Sequence, residues 1–340
     1  MEILERFKPQ VEQELREILP PTPYHGYHGL ERMYGYHMGF CDRDGQPANP
    51  KGKYLRPALC LVICDGLGGD PEKALPAAAS LELIHRTSLI FDDIQDRGVE
   101  RNGQPTVWNI WGADQAINAG LALSCYGRLA LQRMTIPKTQ VLAIHSLLER
   151  AVINLCWGQY HDLSFIDDRK VQTRDYLGMV TEKTAALFGA ACEIGAICAE
   201  SYPGRPRAGF HNISDVREFG IQLGLAFQIH DDYLGIWGDE VVVGKTANDL
   251  EEKKRSLPVV MGLEKDPEQM GAWLSQEIIT SQDACIIRSW MESRGIPNKV
   301  SVLEKKYALQ ARILLSGLKL KQKQQDEIEE LLSFITSRDL

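Results

Sequence analysis

The chain has 340 residues, 44% of them apolar and 25% charged, enough for one large hydrophobic core and typical of a globular protein. Its formal net charge of −8 excludes a nucleic-acid partner held by a general basic surface, although a few local Lys and Arg can still receive an anionic ligand. The eight cysteines form no CxxC pair, and several (Cys60, Cys64, Cys192, Cys198) lie inside apolar runs, so they read as buried thiols of a reducing cytoplasm. The start shows no basic segment followed by an apolar one, and uninterrupted apolar stretches of about 18 residues are absent, so neither a signal peptide nor a transmembrane helix is expected.

Residues 2–19 place Ile, Leu, Phe and Val at helical spacing, and Pro20-Pro21 should end that helix. An aromatic tract follows, from Tyr24-His25-Gly26-Tyr27-His28 to Tyr34-Gly35-Tyr36-His37. His25, His28 and His37 admit a metal site, but no carboxylate or thiol sits at ligand spacing, and a packing or interface arm is expected. Residues 42–51 read as a loop. From Tyr54 to Phe334 helical patterns follow one another, broken by Gly and Pro clusters, and period-two alternation is nearly absent. The expected fold is all-α in a single domain over 1–340, with an N-terminal helix and aromatic arm in 1–50 and a helical core in 52–334. Residues 183–200, rich in Ala and Gly, should form a helix packed closely in a bundle centre, with Lys183 at its start. The charged stretch 319–330 should be a solvated helix face.

Two stretches carry the chemistry. Phe91-Asp92-Asp93-Ile94-Gln95-Asp96-Arg97 puts three carboxylates behind an apolar run; at about 100° per residue, Asp92 and Asp96 lie one turn apart with Asp93 in the same arc. Far down the chain, Gln228-Ile229-His230-Asp231-Asp232-Tyr233 again closes an apolar helix with paired aspartates. Taken alone, either cluster is as readily a solvated helix end. Two such ends facing one another across a bundle would repel strongly without cations, and an oxygen-only ligand set favours Mg²⁺, which keeps waters and binds substrate phosphates. A diphosphate ligand is therefore implied. Basic residues recur beside both clusters: Lys53 and Arg56, Arg97 and Arg101, Lys183, Lys245, and Lys253-Lys254-Arg255.

On these residues the chain resembles the trans-isoprenyl diphosphate synthases, the family of farnesyl and geranylgeranyl diphosphate synthases. Asp92-Asp93-Ile94-Gln95-Asp96 is similar to the first aspartate-rich motif of that family, and Asp231-Asp232-Tyr233-Leu234-Gly235 with Asp239 to the second; the similarity runs from about Gly52 to Val260. The resemblance implies a helical bundle around a deep apolar cavity, a homodimer, and about three Mg²⁺ ions per active site. It implies condensation of an allylic diphosphate with isopentenyl diphosphate to a longer trans-prenyl diphosphate. Asp92, Asp96 and Asp231 would be the direct Mg²⁺ ligands of the metal site, with Asp93 and Asp232 supporting them. Arg101, Lys183 and Lys245 would hold the allylic diphosphate, and Lys53, Arg56 and His85 the isopentenyl diphosphate. Thr184 and Gln228 would line the reacting carbons, Lys254 would help close the site, and Gln159 and Asp162 would support it from behind.

Product length should depend on Ile84, Thr87 and Ser88, upstream of the first motif; small Thr87 and Ser88 point to growth beyond C15, with C20 favoured. Two positions depart from the family pattern. Asn102 stands where a second arginine usually follows Arg101 and contacts isopentenyl diphosphate, a loss of about 1.5–3 kcal/mol unless a neighbour such as Arg97 replaces it. Gly235 stands where many members carry a third aspartate. A terpene cyclase on the same fold, or a non-catalytic partner subunit, are the alternative readings.

Overall fold

A computed structural model describes residues 2–19, 29–50, 52–166, 168–200, 213–238 and 249–336. Pro20-Pro21, His25, His28, Asp239 and Lys245 lie outside the described residues. The first helices are α1 (Glu2–Ile18), α2 (Gly29–Met38), α3 (Leu55–Gly66), α4 (Pro71–Gln95), α5 (Val107–Trp111) and α6 (Ala113–Ala130). A two-stranded hairpin, β1 (Glu100–Arg101) and β2 (Gln104–Pro105), lies between α4 and α5 in sequence. Then come α7 (Lys138–Phe165), α8 (Thr173–Val180), α9 (Ala186–Glu200) and α10 (Ile213–Trp237). The chain continues with α11 (Leu257–Lys265), α12 (Pro267–Leu274), α13 (Ser281–Ser293), α14 (Ile296–Gly317) and α15 (Gln322–Thr336). The fold is all-α, as the periodicity implied.

The chain divides into two compact units. The first comprises Met1–Glu149, Ala191–Phe210 and Leu320–Glu327. Its centre is α3, buried without interruption from Pro57 to Cys64. The later part of α9 lies against α3 because Gly195 has no side chain to meet the Cys60 carbonyl. Helix α4 packs along α6 and α3; a Cβ at Gly120 would stand 2.8 Å from the Phe91 ring, so glycine lets α6 approach. Asp70 caps α4 by accepting from the Glu72 amide at 3.1 Å, with Pro71 at the first turn. The helix ends where the Asp96 amide donates to the Asp92 carbonyl at 2.8 Å and Arg97 turns to φ 54°.

The described part of the aromatic tract is a packing element. Tyr34 is buried edge-on to Tyr126, Tyr36 meets Trp111 edge-on, and His37 donates to the Arg86 carbonyl at 2.9 Å. The expectation for residues 319–330 needs correction: Gln324 and Glu327 are buried. Arg6 pairs with Glu327 at 2.9 Å and with Asp65, and Lys321 reaches Asp65 at 3.0 Å, so the segment closes an ion network with α1 and α3.

The second unit comprises Arg150–Ala190, His211–Lys319 and Ile328–Leu340. Helix α10 packs on α14 and α11. His230 bonds buried Glu304 at 3.0 Å, tying α10 to α14. The helix expected to start at Lys183 does not start there. From Thr173 the chain is helical through a π turn, Thr181–Ala185, into α9. The extra residue of a π turn redirects side chains, and Lys183 and Thr184 sit on it. Gly158 of α7 and Gly224 of α10 lie directly against the backbone of this turn, at Lys183 and Ala185.

Candidate active site

Each unit carries one of the two aspartate sets. In the first, α4 delivers Asp92 and Asp93 from its last turn, with Asp96 as C-cap. Asp96 is exposed and Asp92 half-buried, so both can reach a solvated cation, while Asp93 is buried. Arg101 explains the burial: its Nε donates to Asp93 Oδ1 at 2.8 Å, and its Nη2 reaches Asp92 Oδ2 at 3.4 Å. Burial raises the Asp93 carboxyl from its usual range, against the lowering effect of Arg101. The Asp93 carboxylate thus holds Arg101 rather than facing outward, beside the more exposed Asp92 and Asp96.

Asn102 has a local reason. With Gly103 it forms the two-residue turn of the β1–β2 hairpin, at φ 53° and 70°. Both central residues of such a turn need positive φ, and Asn-Gly is the favoured pair. Asn102 is exposed at the tip.

Two turns of α4 link this acidic end to a basic region. Lys53 is exposed just before α3, Arg56 lies in the first turn of α3, and His85 is two turns before Asp92. The His85 imidazole is held neutral, its pKa well below the usual value, by burial and then by Arg56, Arg86 and Arg101. Arg56 is itself lowered to about 10, by burial first, with Glu82 opposing and Arg86 adding to the shift. Of the chain-length residues, Ile84 and Thr87 face α6. Ile84 packs on Gly127, and Thr87 Oγ1 donates to the Leu83 carbonyl at 2.9 Å and lies 3.4 Å from that of Gly120. Ser88 is half-buried and donates to the His85 carbonyl.

In the second unit, Asp231 is half-buried and Asp232 is buried. Both Asp232 oxygens are engaged within the protein. Oδ2 accepts from Tyr176 Oη and from the Leu257 amide at 2.6 Å, and Oδ1 accepts from Gln228 Nε2 at 2.9 Å. Burial, and then Asp249, push this carboxyl up to about 7. Asp232 is therefore an anchor within the protein, behind the half-buried Asp231. Through it Gln228 is fixed, and Thr184 Oγ1 donates to Gln228 Oε1 at 3.0 Å. Lys183 pairs with Asp162 at 2.5 Å, and Gln159 is buried.

Sequence reasoning missed Asp249, Tyr176 and Arg86. Asp249 is buried, bonds the Gly235 carbonyl through its amide at 3.2 Å, and pairs with Lys254 Nζ at 3.5 Å. Burial, which would lower the Lys254 pKa, is outweighed by Asp249, Glu252 and Asp231, so this ammonium stays charged. Among the described residues no three acidic, His or Cys side chains converge into a closed cage.

The chain belongs to the polyprenyl synthetase family, whose model matches residues 46–286. A geranylgeranyl diphosphate synthase of Mycobacterium tuberculosis is 40% identical over 236 residues, 69% of this chain; the match spans 65% of that relative's length. A (2E,6E)-farnesyl diphosphate synthase of Mycobacterium bovis is 33% identical over 322 residues, covering 91% of this chain and 86% of the relative. The crystal structure of a polyprenyl synthetase from Streptomyces coelicolor A3(2) superposes with a TM-score of 0.86 at 30% identity, covering 98% of this chain and 99% of the other.

Proposed function

We propose that this chain is a Mg²⁺-dependent trans-prenyltransferase that condenses an allylic diphosphate with isopentenyl diphosphate, as a single synthase domain over 1–340. The observation that carries the reading is on α4, where one helix bears an outward pair, Asp92 and Asp96, and, two turns before Asp92, a neutral histidine among three guanidinia. Asp92, Asp96 and Asp231 would hold Mg²⁺, about three ions in all, which when bound offsets charge developing on the departing diphosphate. Arg101, Lys183 and Lys245 would hold that diphosphate and Lys254 would help close the site; Lys53, Arg56 and His85 would hold the second substrate. Thr184 and Gln228 are positioned by Asp232. The allylic C–O bond breaks, the isopentenyl double bond attacks the resulting cation to form the new C–C bond, and a proton leaves to the released diphosphate. Buried apolar helices exclude the water that would quench the cation.

Small Thr87 and Ser88 favour a C20 product. The exposed apolar side chains Ile117, Leu121 and Leu129 of α6 and Leu142, Ile153 and Trp157 of α7 suit a second copy of this chain. Helix α7 is the one described helix long and apolar enough to cross a membrane by length and composition. We assign its exposed side to a homodimer, and a monomer in sedimentation would overturn that assignment. A cytoplasmic location accords with eight free thiols. Product analysis with Mg²⁺ and dimethylallyl, geranyl or farnesyl diphosphate, with and without isopentenyl diphosphate, tests the function. Longer diphosphates formed only with isopentenyl diphosphate support it. Hydrocarbons or alcohols without it support the cyclase that Asn102 alone favours, and no turnover supports a partner subunit.

A further inference from the structure

We infer that Tyr176 is a positioning residue for the reacting carbons, acting through Asp232 to fix the Gln228 amide and the Thr184 hydroxyl; this rests on the prenyltransferase reading. Four side chains of the second unit form one chain of hydrogen bonds. Tyr176 Oη donates to Asp232 Oδ2, Gln228 Nε2 donates to Asp232 Oδ1 at 2.9 Å, and Thr184 Oγ1 donates to Gln228 Oε1 at 3.0 Å. Tyr176 and Thr184 belong to one continuous helical run, α8 with its π turn, and Gln228 and Asp232 stand one turn apart on α10. The four residues thus form a frame with two rungs between the same pair of helices. Tyr176–Asp232 is the buried rung, and Thr184–Gln228 is the rung that is partly exposed.

Each bond leaves the next group one orientation. A carboxylate only accepts, so Gln228 turns its Nε2 end to Asp232 and its oxygen to Thr184. Asp232 Oδ2 also accepts from the Leu257 amide at 2.6 Å, one of the amides that the start of α11 leaves without a partner inside the helix. That amide alone would satisfy the oxygen. A phenyl ring would fill the same core, where Tyr176 is 1% exposed among Met179, Ala185, Ile229 and Leu257. What the hydroxyl adds is the second tie, from the helix that carries Thr184 to the carboxylate that holds Gln228. Held by Leu257 alone, the carboxylate can swing about its broad terminal torsion and take Gln228 with it. A shift of that pair acts on the rate, and not on the diphosphates, which neither residue is placed to hold.

Single-turnover elongation, read at saturating and at limiting isopentenyl diphosphate, compares the wild type with Tyr176→Phe, alone and in a Gln228→Leu background. Tyr176→Phe should lower the saturating rate about tenfold with substrate affinity within about threefold, and should cost less than about twofold where Gln228 is already replaced. A wild-type rate in the folded variant, a loss that lies in affinity, or the same fold-loss in both backgrounds overturns the inference, since a merely structural tyrosine gives one of these. Asp232→Asn carries the test if Tyr176→Phe does not fold. With its oxygen kept by Tyr176 and Leu257, the new amide presents an N–H to Gln228 and turns that side chain over. The saturating rate should again fall about tenfold, with the Mg²⁺ needed for half-maximal rate within about twofold of the wild type. A wild-type rate or a raised Mg²⁺ requirement in Asp232→Asn overturns the inference. A wild type that never elongates overturns the prenyltransferase reading and this inference with it.

Discussion

The carboxylate of Asp249 fills the space that a side chain at Gly235 would occupy: a Cβ there would lie 2.5 Å from Asp249 Cγ. The aspartate that Gly235 lacks is thus replaced in space by one further along the chain, held by the Gly235 carbonyl and Lys254. Gly235→Ala should displace Asp249, lower stability by about 1–3 kcal/mol through overpacking, and raise the Mg²⁺ concentration needed for half-maximal rate. Thermal unfolding and Mg²⁺ titration of the rate check this; wild-type values in both would refute it.

Arg101 is the partner that makes a buried Asp93 tolerable. Arg101→Ala leaves that carboxylate buried and unpaired, at about 2–3 kcal/mol, toward the low end for buried pairs because Arg101 is one-third exposed. Asp93→Asn should cost less, since an amide can be buried more cheaply. Urea unfolding of the two variants gives the order, and equal losses would contradict it.

Chain length gives a prediction with a built-in control. Ser88→Phe should shorten the principal product without lowering stability by more than about 1 kcal/mol, because Ser88 is half-buried. Thr87→Phe must also displace α6 at the Gly120 carbonyl and should lose about 1–3 kcal/mol. Chromatography of dephosphorylated products, with melting temperatures, separates the two effects. An unchanged product from a folded Ser88→Phe would rule out the position as a determinant.

His37 should make the protein acid-sensitive. Burial, then the charges of Arg86 and Arg101, lower its pKa to about 3, against the hydrogen bond to the Arg86 carbonyl. The folded state keeps it neutral while the unfolded chain protonates near pH 6.5. Its contribution is full above that pH and is lost as pH falls toward 3, up to about 2 kcal/mol between pH 6.5 and 5. His37→Gln keeps a donor and should flatten that part of the stability curve; parallel curves would contradict the assignment.

The helices and both aspartate sets were legible in the sequence because period and charge are local properties. The partners that hold Asp93 and Asp232 were not legible, since Arg101 and Tyr176 lie outside the two motifs and meet them only in the fold. Asp249 acquires meaning only through Gly235, whose missing side chain carries no pattern. The π turn at Lys183 likewise follows from the close backbones that Gly158 and Gly224 permit, and the buried face of residues 319–330 from Asp65 and Arg6, distant in sequence.

The central proposal is that each aspartate set is required for Mg²⁺-dependent binding of a diphosphate. An unreactive allylic thiolodiphosphate, titrated into the wild type, Asp92→Asn and Asp231→Asn with and without Mg²⁺, tests it most directly. The account predicts Mg²⁺-dependent binding in the wild type, weakened on the order of 10- to 100-fold in each variant. Binding that ignores Mg²⁺, or that survives unchanged in either variant, would contradict it.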